Sequence, residues 1–206
     1  AEAITRVLID LSPTSGAFYS LDTPASFAGN FEVSLDFIVI SSGGQEYILD
    51  CLDGGFIRYT SGQIKLRPVA GASFLTASIN VNNGLLNTLK LVANASGGAI
   101  YINGTLASSD LQDWTTFNPR DIGRRPAGDF FKGIISNVKL TDIDTPSNSL
   151  EFALNQLTSN SETYNGVTLT YNNIGTANTI RDTYTLSADG TQLISDLRTI
   201  DIAAQA

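Results

Sequence analysis

The sequence predicts an all-β chain folded as an antiparallel sandwich, and three observations carry that prediction. Apolar and polar residues alternate along many short segments, Gly, Asn and Ser clusters separate those segments, and helical periodicity is almost absent. Alternation with period two is what a strand buried on one face requires, because successive side chains point to opposite sides of the sheet. Strand signals at this spacing, joined by tight turns, pack as two facing layers.

Taken in order, "AITRVLIDL" near the start is strand-like and is expected to pair near the end of the sandwich. "NFEVSLDFIVI" is the clearest signal, with Phe31, Val33, Leu35, Phe37 and Val39 on one face and Glu32, Ser34 and Asp36 on the other. "EYILDCL" and "GFIRYT" follow, split by a turn at Asp53-Gly54-Gly55, and "GQIKLRPV" comes next after Ser61-Gly62. "SFLTASINV" and "NTLKLVANA" repeat the pattern across a break at Asn82-Asn83-Gly84.

"AIYINGTLASS" then reads as a hairpin. Asn103-Gly104 readily takes the two positive φ angles of a type I′ turn. Asn103-Gly-Thr and Asn94-Ala-Ser are also glycosylation sequons, fortuitous ones in a bacterial or bacteriophage context. "KGIISNVKLTD" alternates again, with Ile134, Val138 and Leu140 sharing a face. The turn formers of "DTPSNS" mark a boundary, dividing the chain into a sandwich domain at 1–145 and a β-rich C-terminal extension at 146–206. In the extension, "SLEFALNQL" reads as a strand with Leu150, Phe152 and Leu154 on one face. "GVTLTYNNI", "RDTYTLSADG" and "TQLISDLRTIDI" add three further strand signals. The last has no obvious partner in its own domain, so neighbouring subunits are expected to help hold it. The extension would thus partly complete the sandwich and partly serve assembly.

Composition narrows the chemistry. The 206 residues hold 12 basic and 20 acidic side chains, for a net charge of −8, and both regions are acidic, so a non-specific grip on nucleic acid or on an anionic membrane is not expected. No stretch is long and apolar enough to insert in a bilayer. The start lacks the basic-then-apolar layout of a signal peptide, which leaves a chain that lost its initiator Met or one already trimmed. With no histidine there is no Ser-His-Asp triad, no Cys-His dyad and no imidazole ligand. Cys51, the only cysteine, lies within an apolar strand signal and reads as a packed thiol.

Several of these residues, in order, resemble the second half of a laminin G-like domain of the concanavalin A-like jelly-roll class. They are the apolar strand Leu89 to Val92, the turn Gly97-Gly98, the aromatic strand Tyr101 to Gly104, Ile122-Gly123-Arg124, and the glycine-led strand Gly133 to Leu140. "FYSLDTPASFAGNFEVSLDFIV" resembles the opening half, so the likeness spans about residues 17 to 142. Residues 148 to 191 resemble segments of tailed-bacteriophage structural proteins, especially fibre and host-recognition proteins. The two resemblances together imply a non-enzymatic virion protein, either a tail fibre or a capsid decoration. It would be made in the host cytoplasm, bound to other virion proteins and to itself (a trimer by analogy with fibres), and presenting a jelly roll to a cell-surface glycan. The competing reading is a secreted, extracellular carbohydrate-binding module or adhesin.

Catalysis is not expected. Glu32 and Asp36 lie about 13 Å apart along one strand, and Asp50 and Asp53 are split by a turn, whereas retaining glycosidases hold two carboxyls about 5 Å apart. Many laminin G-like domains bind calcium, and Asp50, Asp53, Asp121 and Asp129 are available oxygen ligands, but their spacing matches no ligand set of that family. No metal ligands are therefore assigned, and calcium remains the one cofactor the resemblance leaves open. The candidate ligand-binding residues lie in "DWTTFNPRDIGRR". Trp114 and Phe117 either stack on a pyranose or plug one end of the sandwich. Asn118 can bond sugar hydroxyls, and Arg120, Arg124 and Arg125 either meet an acidic glycan or offset nearby aspartates.

Overall fold

The computed structural model describes residues 6–9, 16–27, 29–39, 44–78, 86–154, 161–174, 183–186, 192–194 and 199–201. Among these, twenty short strands are formed. The first seven are β1 (Arg6–Ile9), β2 (Gly16–Leu21), β3 (Phe31–Val39), β4 (Gln45–Cys51), β5 (Phe56–Thr60), β6 (Gln63–Arg67) and β7 (Leu75–Ala77). Next come β8 (Asn87–Asn94), β9 (Gly97–Ile102), β10 (Thr105–Ser109), β11 (Pro119–Ile122), β12 (Arg124–Arg125), β13 (Asp129–Phe130) and β14 (Gly133–Asp142). After a single 3₁₀ turn at Pro146–Asn148 follow β15 (Leu150–Ala153), β16 (Ser161–Tyr164), β17 (Val167–Ile174), β18 (Thr183–Leu186), β19 (Gln192–Ile194) and β20 (Thr199–Asp201).

The described strands build two large antiparallel sheets and a separate two-stranded hairpin, β12-β13. The first runs β10-β9-β8-β3-β14-β1-β18-β19-β20, with β15 also paired to β14, and the second runs β16-β17-β2-β11-β4-β5-β6-β7. The expected alternation of β3 holds: Phe31, Val33, Leu35, Phe37 and Val39 are buried in the core between the sheets. Facing them from the second sheet are Tyr19, Ile57, Tyr59, Ile64 and Leu66. A hydrophobic layer of this kind is what makes two half-buried sheets stack.

Tight turns set the registers. Asn103 (φ 52°) and Gly104 (φ 78°) close the β9–β10 hairpin, with Ile102 opposite Thr105. The Asn103 side chain also accepts from the Thr88 N–H at 2.8 Å and donates to Asn87 at 3.1 Å, tying the turn to the start of β8. Ser61-Gly62 joins β5 to β6 and Asn165-Gly166 joins β16 to β17 with the same pair of positive φ values. All three are the primed turns whose twist matches that of the flanking strands.

Two expectations need correction. The alternation that groups Ile134 with Val138 and Leu140 breaks at a bulge between Ile135 and Val138, so Ile135 joins Val138 and Leu140 in the core. An extra residue in one strand shifts every side chain beyond it to the other face. The C-terminal strand signal, which has no obvious partner on the sequence alone, pairs within the chain. It divides into β19 and β20, which pair with each other, and β19 also pairs with β18, itself hydrogen-bonded to β1. Residues beyond 146 also complete both sheets, through β15 on β14 and β17 on β2. Leu150, Phe152 and Leu154 are buried as the alternation requires. The break at Asn82-Asn83-Gly84 lies outside the described residues.

Candidate functional site

The segment 110–118 crosses from β10 in the first sheet to β11 in the second, and the crossing decides the fate of its aromatic residues. Phe27, Phe31 and Phe117 form a continuous stack, with ring centroids 5.0 and 5.5 Å apart, and Trp114 leans on Phe117 at 6.0 Å. Trp114 and Phe117 are both fully buried. The Trp114 indole N–H donates to Asp110 at 2.9 Å, and the same carboxylate oxygen accepts from the Gly98 N–H at 3.0 Å. These rings therefore plug the end of the sandwich and offer no face to a ligand from solvent. Asn118 donates to Asp53, and its carbonyl accepts from the Leu52 N–H, so it fastens the β4–β5 turn.

Arg120, Arg124 and Arg125 do gather on the outer face of the second sheet, each against a carboxylate. Arg120 donates to Asp50 at 2.9 Å and to Asp121 at 3.1 Å, and Arg124 lies 3.6 Å from Asp121 with its guanidinium 3.4 Å above the Phe18 ring. Arg125 pairs with Asp129 and sits 4.9 Å over Tyr47. Asp50 and Asp121 face each other across β4 and β11. Burial pushes the Asp50 carboxyl up to about 6, opposed by Arg120 and reinforced by Asp121. This cluster is internally neutralised.

The same face carries a second array that sequence reasoning did not single out. Phe56 and Arg58 project outward from β5 while Ile57 and Tyr59 point into the core. Phe74, from the loop before β7, lies 5.8 Å from Phe56, and Phe56 lies 5.2 Å from Tyr47. Two guanidinium groups flank the two phenylalanine rings. Arg58 stands 4.6 Å from Phe56 and 5.3 Å from Phe74, and Arg67 stands 4.7 and 5.7 Å from the same rings. Arg58 donates to Gln45 at 2.7 Å and Arg67 to the Gly54 carbonyl at 2.8 Å. Phe74 remains 49% exposed, an apolar ring at the surface within cation–π distance of both guanidinium groups. The signal was present in the sequence as Phe56 and Arg58 at alternate positions of one short strand.

The outer face of the first sheet differs. It holds a shallow groove of about 320 Å³ lined by Thr88, Lys90, Val92, Tyr101 and Gly104. Lys90 there pairs with Glu32 at 2.9 Å. As for calcium, Asp50 and Asp121 bind Arg120, Asp129 binds Arg125 and Asp53 accepts from Asn118. Among the described residues no three acidic, cysteine or histidine side chains gather as a metal site. Cys51 is buried, and burial pushes its thiol well above the ordinary range. No helix among the described residues is long and apolar enough to cross a membrane.

No protein-family model matches the sequence, and no curated protein matches it. Solved structures do. A Bacteroides ovatus protein named for a proposed carbohydrate-binding role superposes with a TM-score of 0.63 at 15% identity, over 83% of this chain and 59% of its own. Mouse laminin α1 domains LG4-5 give 0.55 at 15% identity, over 80% of this chain and 45% of theirs. The chain has a laminin G-like jelly-roll fold. A heptameric SAP-like pentraxin from Limulus polyphemus gives 0.50 at 12% identity, over 67% of this jelly roll and 75% of the pentraxin chain. The jelly roll spans 59% and 45% of the lengths of the first two.

Proposed function

We propose that this jelly roll is a non-enzymatic glycan-binding module that reads its ligand on the outer face of the second sheet. The observation that supports this most is Phe74, a half-exposed ring fixed over Phe56 between two arginines. A rigid ring with guanidinium donors beside it suits a pyranose, whose apolar face stacks while its hydroxyls take hydrogen bonds. The facing carboxylates Asp50 and Asp121 share Arg120 as a partner, so in this reading the group holds β4 to β11 rather than cleaving a glycoside. The likeness to a structure named for carbohydrate binding is in keeping with this reading.

The test is retention on a panel of immobilised polysaccharides, comparing wild type with Phe74→Ala. Selective retention that the substitution abolishes, with unchanged melting, is expected. Absence of retention on every glycan, or retention indifferent to Phe74, would sink the reading. Release of reducing sugar would overturn its non-enzymatic part.

For the setting of the module, the likeness of residues 148–191 to tailed-phage structural proteins favours a virion, as a fibre or a capsid decoration in contact with its own copies. Mass measurement of the native particle tests this placement, and a lone monomer found outside any particle would favour the secreted adhesin.

A further inference from the structure

Basic residues on this face are of two kinds. Arg120, Arg124 and Arg125 each have a carboxylate within 4 Å, as do Lys90 and Lys139 on the first sheet. Arg58, Lys65 and Arg67 have none among the described residues, although the chain holds 20 acidic side chains against 12 basic ones. The Ser61-Gly62 hairpin brings these three together. Arg58 stands directly opposite Lys65 across β5 and β6, and Phe56 directly opposite Arg67, so all three cations fall on the outward face. Like charges in direct cross-strand opposition destabilise a sheet, and this chain places two there with no compensating acid among the described residues.

Glu46 is close in sequence but cannot help. It registers with Tyr59 on the core side of the sheet, while its neighbour Tyr47 registers with Arg58 on the outside. Arg58 itself is only 9% exposed, and its Nε–H has no acceptor. Arg124 and Arg125 also leave an Nε–H without an acceptor, but each has a carboxylate, whereas Arg58, nine-tenths buried and in register with a lysine, has no counter-charge among the described residues. An oxyanion would supply that counter-charge, because guanidinium forks match carboxylates and sulfates while an ammonium adds point charge.

We infer that Arg58, Lys65 and Arg67 form an oxyanion subsite, and that the ligand is an acidic glycan carrying a carboxylate or sulfate ester beside the ring that meets Phe74. This rests on the glycan-binding reading for the sugar and on the β5–β6 geometry for the charge. The neutralised cluster at Arg120 lies outside the subsite.

The experiment measures equilibrium binding of the full chain at physiological salt to four polymers: polygalacturonate, dextran sulfate, uncharged dextran and polyglutamate. Wild type is compared with the double variant Lys65→Gln/Arg67→Gln and with the charge-matched control Lys90→Gln/Lys139→Gln. Polygalacturonate or dextran sulfate should bind, and whichever binds names the anion as carboxylate or sulfate. The first variant should weaken that binding by at least about tenfold, and the control should leave it unchanged, with the melting temperature held in both. Equal losses in the two variants would mean net charge alone and overturn the subsite. Dextran bound as well as the acidic polymers would overturn the subsite while leaving the glycan reading intact. Polyglutamate bound as tightly as the acidic glycans, and lost in the first variant, would keep the cationic site and overturn the sugar. Binding to none of the four overturns the acidic-glycan inference, and the wider polysaccharide panel then decides the glycan reading alone.

Discussion

The second sheet's outer face holds two arginine clusters that differ in one respect. Around Arg120 every cation meets an aspartate, and two of the three aspartates are nearly buried, with side-chain exposures of 7% for Asp50 and 2% for Asp121. In the second cluster, Arg58 and Arg67 lie against aromatic rings, and Arg58 registers opposite Lys65. The first cluster consumes its own charge to hold β4, β11 and the β12–β13 hairpin together, and the second keeps its charge unspent. Local density of arginine is thus a poor guide to a binding site, and the presence or absence of a paired carboxylate is a better one.

The largest way to break this contrast is Arg120→Ala. It removes the ion-pair partner of the nearly buried Asp50, leaves Asp121 with Arg124 alone, and should destabilise the fold by about 3 kcal/mol, read from urea unfolding. A loss under about 0.5 kcal/mol, the range of an exposed pair, would show that the cluster is not structural.

Next comes Glu46, the reverse case of a buried carboxylate without an arginine. Burial pushes it up to about 7, while the Lys132 N–H, which donates to it at 3.2 Å, and the Lys132 charge oppose the rise. In the unfolded chain the group ionises near its ordinary value of 4.5. Between those two values the folded state holds the extra proton, so stability falls as pH rises from 4.5 to about 7 and stays low above. Glu46→Gln should remove that slope and raise stability at pH 8 by about 2 kcal/mol. An unchanged melting profile from pH 4 to 8 would contradict it.

Smaller still, Lys65→Gln should leave stability unharmed or raise it by about 0.5 kcal/mol, because it relieves repulsion from Arg58, and added salt should erase the gain. Lys90→Gln, which breaks an exposed pair with Glu32, should cost under about 0.5 kcal/mol. If the two lysines behave alike, the distinction between paired and unpaired cations loses its energetic basis.

Much of the fold was legible because it depends on local pattern. Alternation in β3 and the Asn103-Gly104 turn need no knowledge of distant residues. The bulge in β14 was not legible, since a register shift is defined only against a partner strand. The choice between alternatives at the candidate site was not legible for a similar reason. "RDIGRR" announces a cationic cluster, but Asp50, which neutralises Arg120, lies 70 positions earlier. The sequence leaves Trp114 between stacking on a sugar and plugging the sandwich, and only the crossing between sheets shows its ring turned inward. The Arg58 group was within reach of sequence reasoning. "FIRYT" and "QIKLR" flank a two-residue Ser-Gly turn, and alternation places Arg58, Lys65 and Arg67 on the face opposite Ile57, Tyr59, Ile64 and Leu66.

The buried indole has an optical consequence. Trp114 is the chain's single tryptophan, sealed beneath the crossover with its N–H held by Asp110. Its fluorescence therefore reports on one end of the molecule alone. Native emission should be blue and shielded from aqueous quenchers, and it should shift to the red only when that end opens to water. Saccharide settling on the outer surface near Phe74 should leave the signal unmoved, so that one dye-free measurement separates loss of structure from occupancy of the ligand face.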